Sequence, residues 1–360
     1  MSAALFVSNG HGEAAIAAAI AARVRDLDPG LRTEHLPLVG EAHGAQPFPD
    51  VGPRRTMPSG GLVVMNPRAL ARDVRAGLWA LVARQAAFLW RARGRYAVVV
   101  AVGDAYACAM ARLARTALAF VGTAKSVHVA PYGPGERALL RGARRVFVRD
   151  AATARDLVRR GVPAEAPGNA IVDLLASDER VSWSASLRIA VLPGSRERAY
   201  ADALRLAGVI SALRARVPDV EAVLSVAPNL DAARFAPALE RGGMRAWTGP
   251  LGALLAEASL AIGQSGTANE AAAANGVPVV ALELDDAPRD AWYRKRQRGL
   301  LGDALLLVPG EPDTAAAAVA ALLADGPRRA RMGEVGRERM GGPGGAEAIA
   351  RALVALAEGA

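Results

Sequence analysis

Two stretches of the chain place a glycine beside a hydroxyl directly after an apolar run, the arrangement a phosphate-binding loop requires. In LRIAVLPGSR the run ends in Gly194, Ser195 and Arg196. The backbone N–H groups of such a turn and a guanidinium beside it can together meet a diphosphate. In ASLAIGQSGTANEAAAANG the run ends at Gln264, and Ser265, Gly266 and Thr267 open an alanine-rich helix whose first N–H groups can bind phosphate. Glu270 follows in the first turn of that helix, positioned to accept hydrogen bonds from ribose hydroxyls. Thr267 and Glu270 also have capping-box spacing, which would make them purely structural. Two anion loops and a carboxylate in one segment describe a nucleoside diphosphate site. A third stretch, GHGEAA, follows the first apolar run, and its Gly10, Gly12 and Ala15 fit the permissive dinucleotide fingerprint. The acidic residue this fingerprint needs would be Glu34, which falls inside the next strand rather than at its end. His11 and Glu13 also crowd a loop that normally keeps its side chains small, so the match is weak.

Short apolar runs alternating with helix-period stretches are the sequence form of an α/β fold with parallel sheets. The expected strands are 3–8, 33–39, 97–102, 117–121 and 145–149 in the first half, and 187–194, 220–227, 258–264, 277–284 and 304–310 in the second. The polar stretch 173–186 carries neither period and reads as a linker. Two Rossmann-like domains are expected in tandem, over 1–172 and 187–344, with a last helix at 345–360 packing back across them. Ligands of such sheets bind at the carboxyl ends of the strands, so two of these domains facing across a cleft would place the site between them.

A single cysteine, Cys108, excludes an internal disulfide framework, and no Cys/His cluster has zinc-ligand spacing. No signal-like start and no run of about 20 uncharged apolar residues occurs, which predicts a cytoplasmic chain. Charge is unevenly placed. Residues 1–176 hold 23 Lys+Arg against 13 Asp+Glu, a net +10, while 177–360 hold 21 against 22, a net −1. The first half therefore favours an anionic partner. Aromatic residues are 4% of the chain and do not interleave with the basic ones, which disfavours nucleic acid. Within 67–93, Leu70, Val74, Leu78, Leu81, Val82, Phe88 and Leu89 recur at helical spacing among Arg68, Arg72, Arg75, Arg84 and Arg91. Such a helix either packs on its own sheet or lies in an anionic membrane interface, with Trp79 and Trp90 at headgroup level.

LPGSR followed by SGTANEAAAANGVPVVAL resembles lipid-A-disaccharide synthase and its relatives. SNGHGE, VGDAY (102–106), FVGTAKS (120–126) and GNAIVD (168–173) are more similar to the branch related to that synthase than to the synthase itself. The resemblance spans nearly the whole chain. It implies the GT-B fold and an inverting glycosyltransferase that uses a UDP-sugar as substrate and no cofactor or metal. It also implies that Arg196 and the Gly266–Thr267 turn bind the donor diphosphate and Glu270 the uridine ribose. Asp104 falls where the family has an essential aspartate, and His11 where several GT-B enzymes place a base histidine. The family's glutamate three residues after the PGSR arginine is Ala199 here, and its GNP reads Gly168, Asn169, Ala170.

With the phosphates assigned to the second half, the opening loop is left to the acceptor, where Gly10 and Gly12 allow close backbone approach and Glu13 lies alongside. Lys125, near the YGPG turn at 132–135, falls on the same side. Asp285 and Asp286 end the strand VPVVALEL, a position where donor-sugar hydroxyls are often read. The Asp26-Leu27-Asp28 triplet imitates a metal-binding DxD but ends a helix-like stretch and is expected to be a solvated terminus. The expected function is sugar transfer from a UDP donor to a lipid acceptor, glycolipid or lipid A-like, on the inner face of the plasma membrane. One alternative is a UDP-N-acetylglucosamine 2-epimerase-like enzyme of the same fold, which needs extra acidic and histidine groups; outside the second strand and the long loop only His11 and His128 are available. An NAD-dependent oxidoreductase using GHGEAA is the alternative from another class.

Overall fold

The computed structural model describes residues 2–39, 48–55, 67–284 and 288–359, without the side chains of residues 11, 67–70 and 288–291. Asp285 and Asp286 lie outside the described residues. The chain divides into two compact units, Met1–Leu174 with Pro343–Ala360, and Leu175–Gly342.

Unit 1 runs β1 (Ala3–Asn9), α1 (His11–Leu27), β2 (Arg32–Val39), α2 (Pro67–Arg75), α3 (Leu78–Arg91), β3 (Val98–Gly103), α4 (Ala105–Ala111), β4 (Ala117–Gly122), α5 (Pro134–Leu140), β5 (Arg145–Phe147), α6 (Ala151–Arg159), β6 (Ala164–Glu165) and α7 (Ala170–Asp173). Its strands form one parallel sheet in the order β2-β1-β3-β4-β5-β6. The strands are continuous apolar runs, VVVAV in β3 and ALAFV in β4, because helices cover both faces of a parallel sheet. On one face Phe6, Val100 and Ala119 pack against Ile16, Ile20 and Val24 of α1.

Unit 2 runs β7 (Leu187–Leu192), α8 (Ala199–Arg216), β8 (Val220–Ser225), α9 (Ala236–Gly242), β9 (Arg245–Trp247), α10 (Leu251–Leu255), β10 (Leu260–Gly263), α11 (Gly266–Ala274), β11 (Val279–Glu283), α12 (Pro288–Leu301), β12 (Leu305–Pro309), α13 (Pro312–Ala324) and α14 (Gly326–Met340). The sheet order is β12-β11-β10-β7-β8-β9, all parallel. This is the doubly wound order in which the chain reverses direction across the sheet between its first and fourth strands.

The last helix, α15 (Gly345–Glu358), returns to unit 1 and buries Ala346, Ile349, Ala350 and Leu353 in the core shared with α1. GNAIVD supplies its dock. Gly168 has φ +137°, and a β-carbon there would lie 2.7 Å from the Gly345 nitrogen, so the two backbones touch. The Asp173 carboxylate then accepts the Gly344 and Ala346 N–H groups, both at 2.6 Å.

The region expected as one amphipathic helix over 67–93 is two. Gly77, at φ +93° and ψ 29°, ends α2 in the left-handed region and starts α3. The apolar stripe of α3 packs inward. Leu78, Leu81 and Leu89 are buried beside Leu36 and Leu38 of β2, and Gln85 between them donates to the Leu38 carbonyl at 3.0 Å. Among the described large apolar side chains of α2 and α3, Trp79, Trp90 and Val74 project outward, and the Arg93 guanidinium stacks 3.0 Å above the Trp90 ring. The apolar face that an interfacial helix needs is thus occupied by the sheet. Among the described residues no helix is long and apolar enough to cross a membrane.

At the edge of the second sheet, Glu221 of β8 accepts hydrogen bonds from Ser184 and the Arg245 guanidinium. Burial pushes its carboxyl up, but the Ser184 N–H, the Arg245 guanidinium and the Ser184 hydroxyl outweigh this and hold it at about 2. A carboxyl lowered on folding adds stability above its ordinary pKa and loses it as pH falls through the folded value. After screening by solvent, since the partner Arg245 is half exposed, the intact chain is expected to lose about 1 kcal/mol from this group as pH falls from 4.5 through 2. Acid unfolding followed by circular dichroism should show this component removed in Glu221→Gln; an acid profile identical to that of the parent chain contradicts it.

Candidate active site

The reversal point of the second sheet lies between β7 and β10, hydrogen-bonded neighbours with Leu192 opposite Gly263. Helices leave adjacent strands toward opposite faces there, so the two loops that follow these strands part and leave a crevice. They are the LPGSR and QSGTANE loops. Gly194 takes φ +118°, and a β-carbon on it would come 3.6 Å from the Ser265 Cβ, so the loops meet. Asn229 Nδ2 donates to the Ser195 carbonyl at 2.9 Å, and the Gln264 N–H to the Leu192 carbonyl at 3.0 Å.

Gly194, Ser195, Arg196, Ser265, Gly266 and Thr267 all line one cavity of about 570 Å³. The cap of α11 is Ser265, whose Oγ accepts the Ala268 N–H at 3.4 Å, so the alternative reading of Thr267 and Glu270 as a capping box does not hold. The Gly266 and Thr267 N–H groups have no acceptor within the helix, as first-turn donors never do. Arg196 is exposed, and no carboxylate pairs with it among the described residues. Its neighbours differ. Glu197 is paired with Arg234, and Arg198 with Asp202 at 3.2 Å. Burial pushes the Asp202 carboxyl up against the opposing pull of Arg198 and Arg205. Glu270, the fifth residue of α11, belongs to its second turn rather than its first and is not part of the cavity lining.

The other wall comes from α12, which the sequence reading left out. Trp292, 62% exposed, stands at the cavity with Tyr293, Arg294 and Gln297. Gln297 is buried and ties α12 to the loop: its Nε2 donates to the Gly266 carbonyl at 3.2 Å and its Oε1 accepts from Asn269 Nδ2 at 3.3 Å. Asn269, fully buried, also donates to the Gly263 carbonyl at 3.1 Å. In sequence the run RKRQRG reads as a solvated basic face, and the lone glutamine within it is the only departure from that pattern.

In unit 1 the sheet order reverses between β1 and β3, and the loops after these strands carry Gly10 to Glu13 and Asp104. Asp104 is exposed and caps α4 through Oδ1, which accepts the Ala107 N–H at 3.0 Å. Its Oδ2 accepts from Asn9 Nδ2 at 3.0 Å. The backbone of His11 begins α1, and its side chain is outside the described set. Gly10, at φ +136°, and Gly103, at φ +125°, both lie under Glu13: a β-carbon on Gly10 would meet Glu13 Oε2 at 2.7 Å, and one on Gly103 its Cγ at 2.9 Å. Gly12 has open space around its Cα. Lys125 Nζ bonds Glu136 Oε2 at 2.6 Å, and Glu136 also accepts the Gly133 N–H, so this lysine braces the YGPG turn.

The dinucleotide reading of GHGEAA loses its parts. A carboxylate covers the glycine where pyrophosphate would sit. Glu34 pairs with Leu5, near the amino end of β1, and is held by Arg95 at 3.1 Å and by the Tyr96 hydroxyl at 2.5 Å. A ribose at the carboxyl edge is out of its reach. Unit 1 also contains a chain Ser8 Oγ to His35 Nε2 at 2.8 Å and His35 Nδ1 to Asp50 Oδ1 at 2.7 Å, with the order of a nucleophile, base and orienting acid. Ser8 is fully buried and no substrate reaches it, so the chain fastens β1 to β2 and to Asp50.

No family model matches the chain, and no curated protein matches it. Solved structures do. A Listeria monocytogenes protein assigned as a UDP-N-acetylglucosamine 2-epimerase is 17% identical, with 100% of this chain and 98% of that one covered and a TM-score of 0.66. The UDP-GlcNAc 2-epimerase from Neisseria meningitidis, bound to UDP-GlcNAc, is 13% identical over 99% and 100% of the two chains, with a TM-score of 0.60. The calicheamicin glycosyltransferase CalG4 is 15% identical over 99% and 98%, with a TM-score of 0.61. At such identities the likeness shows architecture: this chain has the GT-B fold, two Rossmann-like α/β domains with parallel sheets.

Proposed function

We propose that the chain is a UDP-sugar-dependent enzyme of the lipid-A-disaccharide synthase-related kind, an inverting glycosyltransferase acting on a lipid acceptor. The observation that carries this reading is the meeting of two glycine loops and Arg196, which has no carboxylate partner among the described residues, at the reversal point of the second sheet. Arg196 and the N–H groups of Gly266 and Thr267 are the donor-diphosphate ligands, stabilising the charge that develops as UDP leaves. Glu270 would serve the ribose and Asp285 with Asp286 the donor sugar. His11 removes the proton from the acceptor hydroxyl, which attacks the anomeric carbon with inversion, and Asp104, steadied by Asn9, orients the base. Gly10, Gly12 and Glu13 belong to the acceptor side. The basic charge of the first half and the exposed Trp79 support contact with an anionic membrane surface.

Turnover over a panel of UDP-sugars with lipid extract present tests this reading. His11→Ala should abolish transfer while leaving UDP affinity unchanged; undiminished turnover removes His11 from the mechanism. The second reading is a UDP-N-acetylglucosamine 2-epimerase, supported by the likeness to two proteins so described. Conversion of UDP-N-acetylglucosamine to its C2 epimer without any acceptor would establish it in place of transfer.

A further inference from the structure

The cavity of unit 2 contains a donor that neither glycine loop supplies. Tyr293 of α12 is half-buried in its wall, and its hydroxyl has no hydrogen-bond partner among the described residues. A β-carbon on Gly266 would lie 1.4 Å from that hydroxyl oxygen, so the oxygen rests against the Gly266 Cα, beside the first N–H groups of α11. Only glycine leaves room for it. The position is fixed rather than incidental. Gln297, one turn further along α12, bonds the Ser265 and Gly266 carbonyls and so ties the helix that carries Tyr293 to the loop.

The hydroxyl opens onto the cavity, where its O–H is free to donate to a ligand that displaces water. The neighbouring groups say which ligand. Burial raises the Tyr293 pKa, and the Glu270 charge raises it further against the opposing pull of Arg196 and Arg296. The hydroxyl therefore stays protonated at neutral pH and acts as a hydrogen-bond donor. An exposed guanidinium, two first-turn N–H groups and this hydroxyl converge as donors, and the one carboxylate described in the lining, Asp202, is already paired with Arg198 and Arg205, which suits a phosphate oxygen.

We infer that Tyr293 is a diphosphate-binding residue, its O–H donating to a phosphate oxygen held between Arg196 and the Gly266–Thr267 turn. The inference rests on the nucleoside diphosphate reading above and adds a ligand from α12. It explains why a tyrosine hydroxyl is pressed against the glycine of a phosphate loop.

Calorimetric titration of the intact chain with UDP, inorganic pyrophosphate and uridine tests it, using Tyr293→Phe, which keeps the ring and its packing. The variant should bind UDP and pyrophosphate about tenfold more weakly, the loss expected for one hydrogen bond to a charged group, with uridine affinity and Tm unchanged. Equal UDP affinity in variant and parent overturns the role of Tyr293 while the diphosphate site stands. An equal loss for uridine and UDP also overturns it, because the ring would then matter and not the hydroxyl. Failure of the parent chain to bind either UDP or pyrophosphate overturns the diphosphate reading itself, and this inference with it.

Discussion

Arg196→Ala is expected to weaken UDP binding roughly 10- to 100-fold, the range for removing a charge-assisted hydrogen bond to phosphate. The size of the loss follows from the arginine's surroundings. Arg198 has Asp202, while Arg196 has no carboxylate beside it among the described residues and is exposed at the cavity. Its removal leaves no buried partner behind, so the ligand-free chain should unfold within about 0.5 kcal/mol of the parent. Arg196→Lys should recover only part of the affinity, since an ammonium cannot make the bidentate contact a guanidinium makes. The measurements are UDP titration and thermal unfolding of both variants. A variant that binds UDP as the parent does would move the diphosphate away from the LPGSR loop.

Gly336→Val should cause the largest loss of stability. Helix α14 packs backbone to backbone on the end of α11 through Gly336 and on the turn that follows α11 through Gly333. A β-carbon at Gly333 would lie 2.4 Å from the Gly276 carbonyl oxygen, and one at Gly336 2.4 Å from that of Ala273. Both obstacles are backbone, which cannot swing aside as a side-chain tip can, so the helices must separate. Overpacking of this kind costs about 3 kcal/mol or more, far above the few tenths that valine gains over glycine in helix propensity. Thermal unfolding should fall by roughly 6–12 °C for a domain of this size. UDP affinity should fall with it, because α11 carries the Gly266–Thr267 turn. Gly342→Ala, a position with nothing within 4 Å of the added carbon, is the control and should change little. A Gly336→Val chain with parental Tm would show that the α11 and α14 backbones are not in contact.

Most of the fold was legible because a parallel sheet covered on both faces makes its strands continuous apolar runs. The ten runs read as strands all appear, with ends shifted by a few residues. The two missed strands, Ala164–Glu165 and Arg245–Trp247, are short and lie at sheet edges, where half the surface is solvated and no apolar run is needed. The two glycine loops proposed to bind phosphate were legible for a related reason: the carboxyl end of a strand at a reversal point is where backbone N–H groups are left unused, and glycine and serine mark it. Tyr293 and Gln297 were not legible, because their role depends on where α12 packs after some 30 further residues. The α3 stripe shows the opposite limit. Leucines at helical spacing serve a sheet or a membrane equally well in sequence, and only Leu36 and Leu38 of β2 decide between them. The structural alternative for Thr267 and Glu270, a capping box, is not realised because Ser265, two residues earlier, has the same chemistry and begins the helix.

The most direct test of the central claim is the binding of UDP and of NAD to the intact chain, measured separately by titration. The proposed function predicts one UDP site per chain, dependent on Arg196, and no binding of NAD at GHGEAA. Binding of NAD without binding of UDP would contradict it.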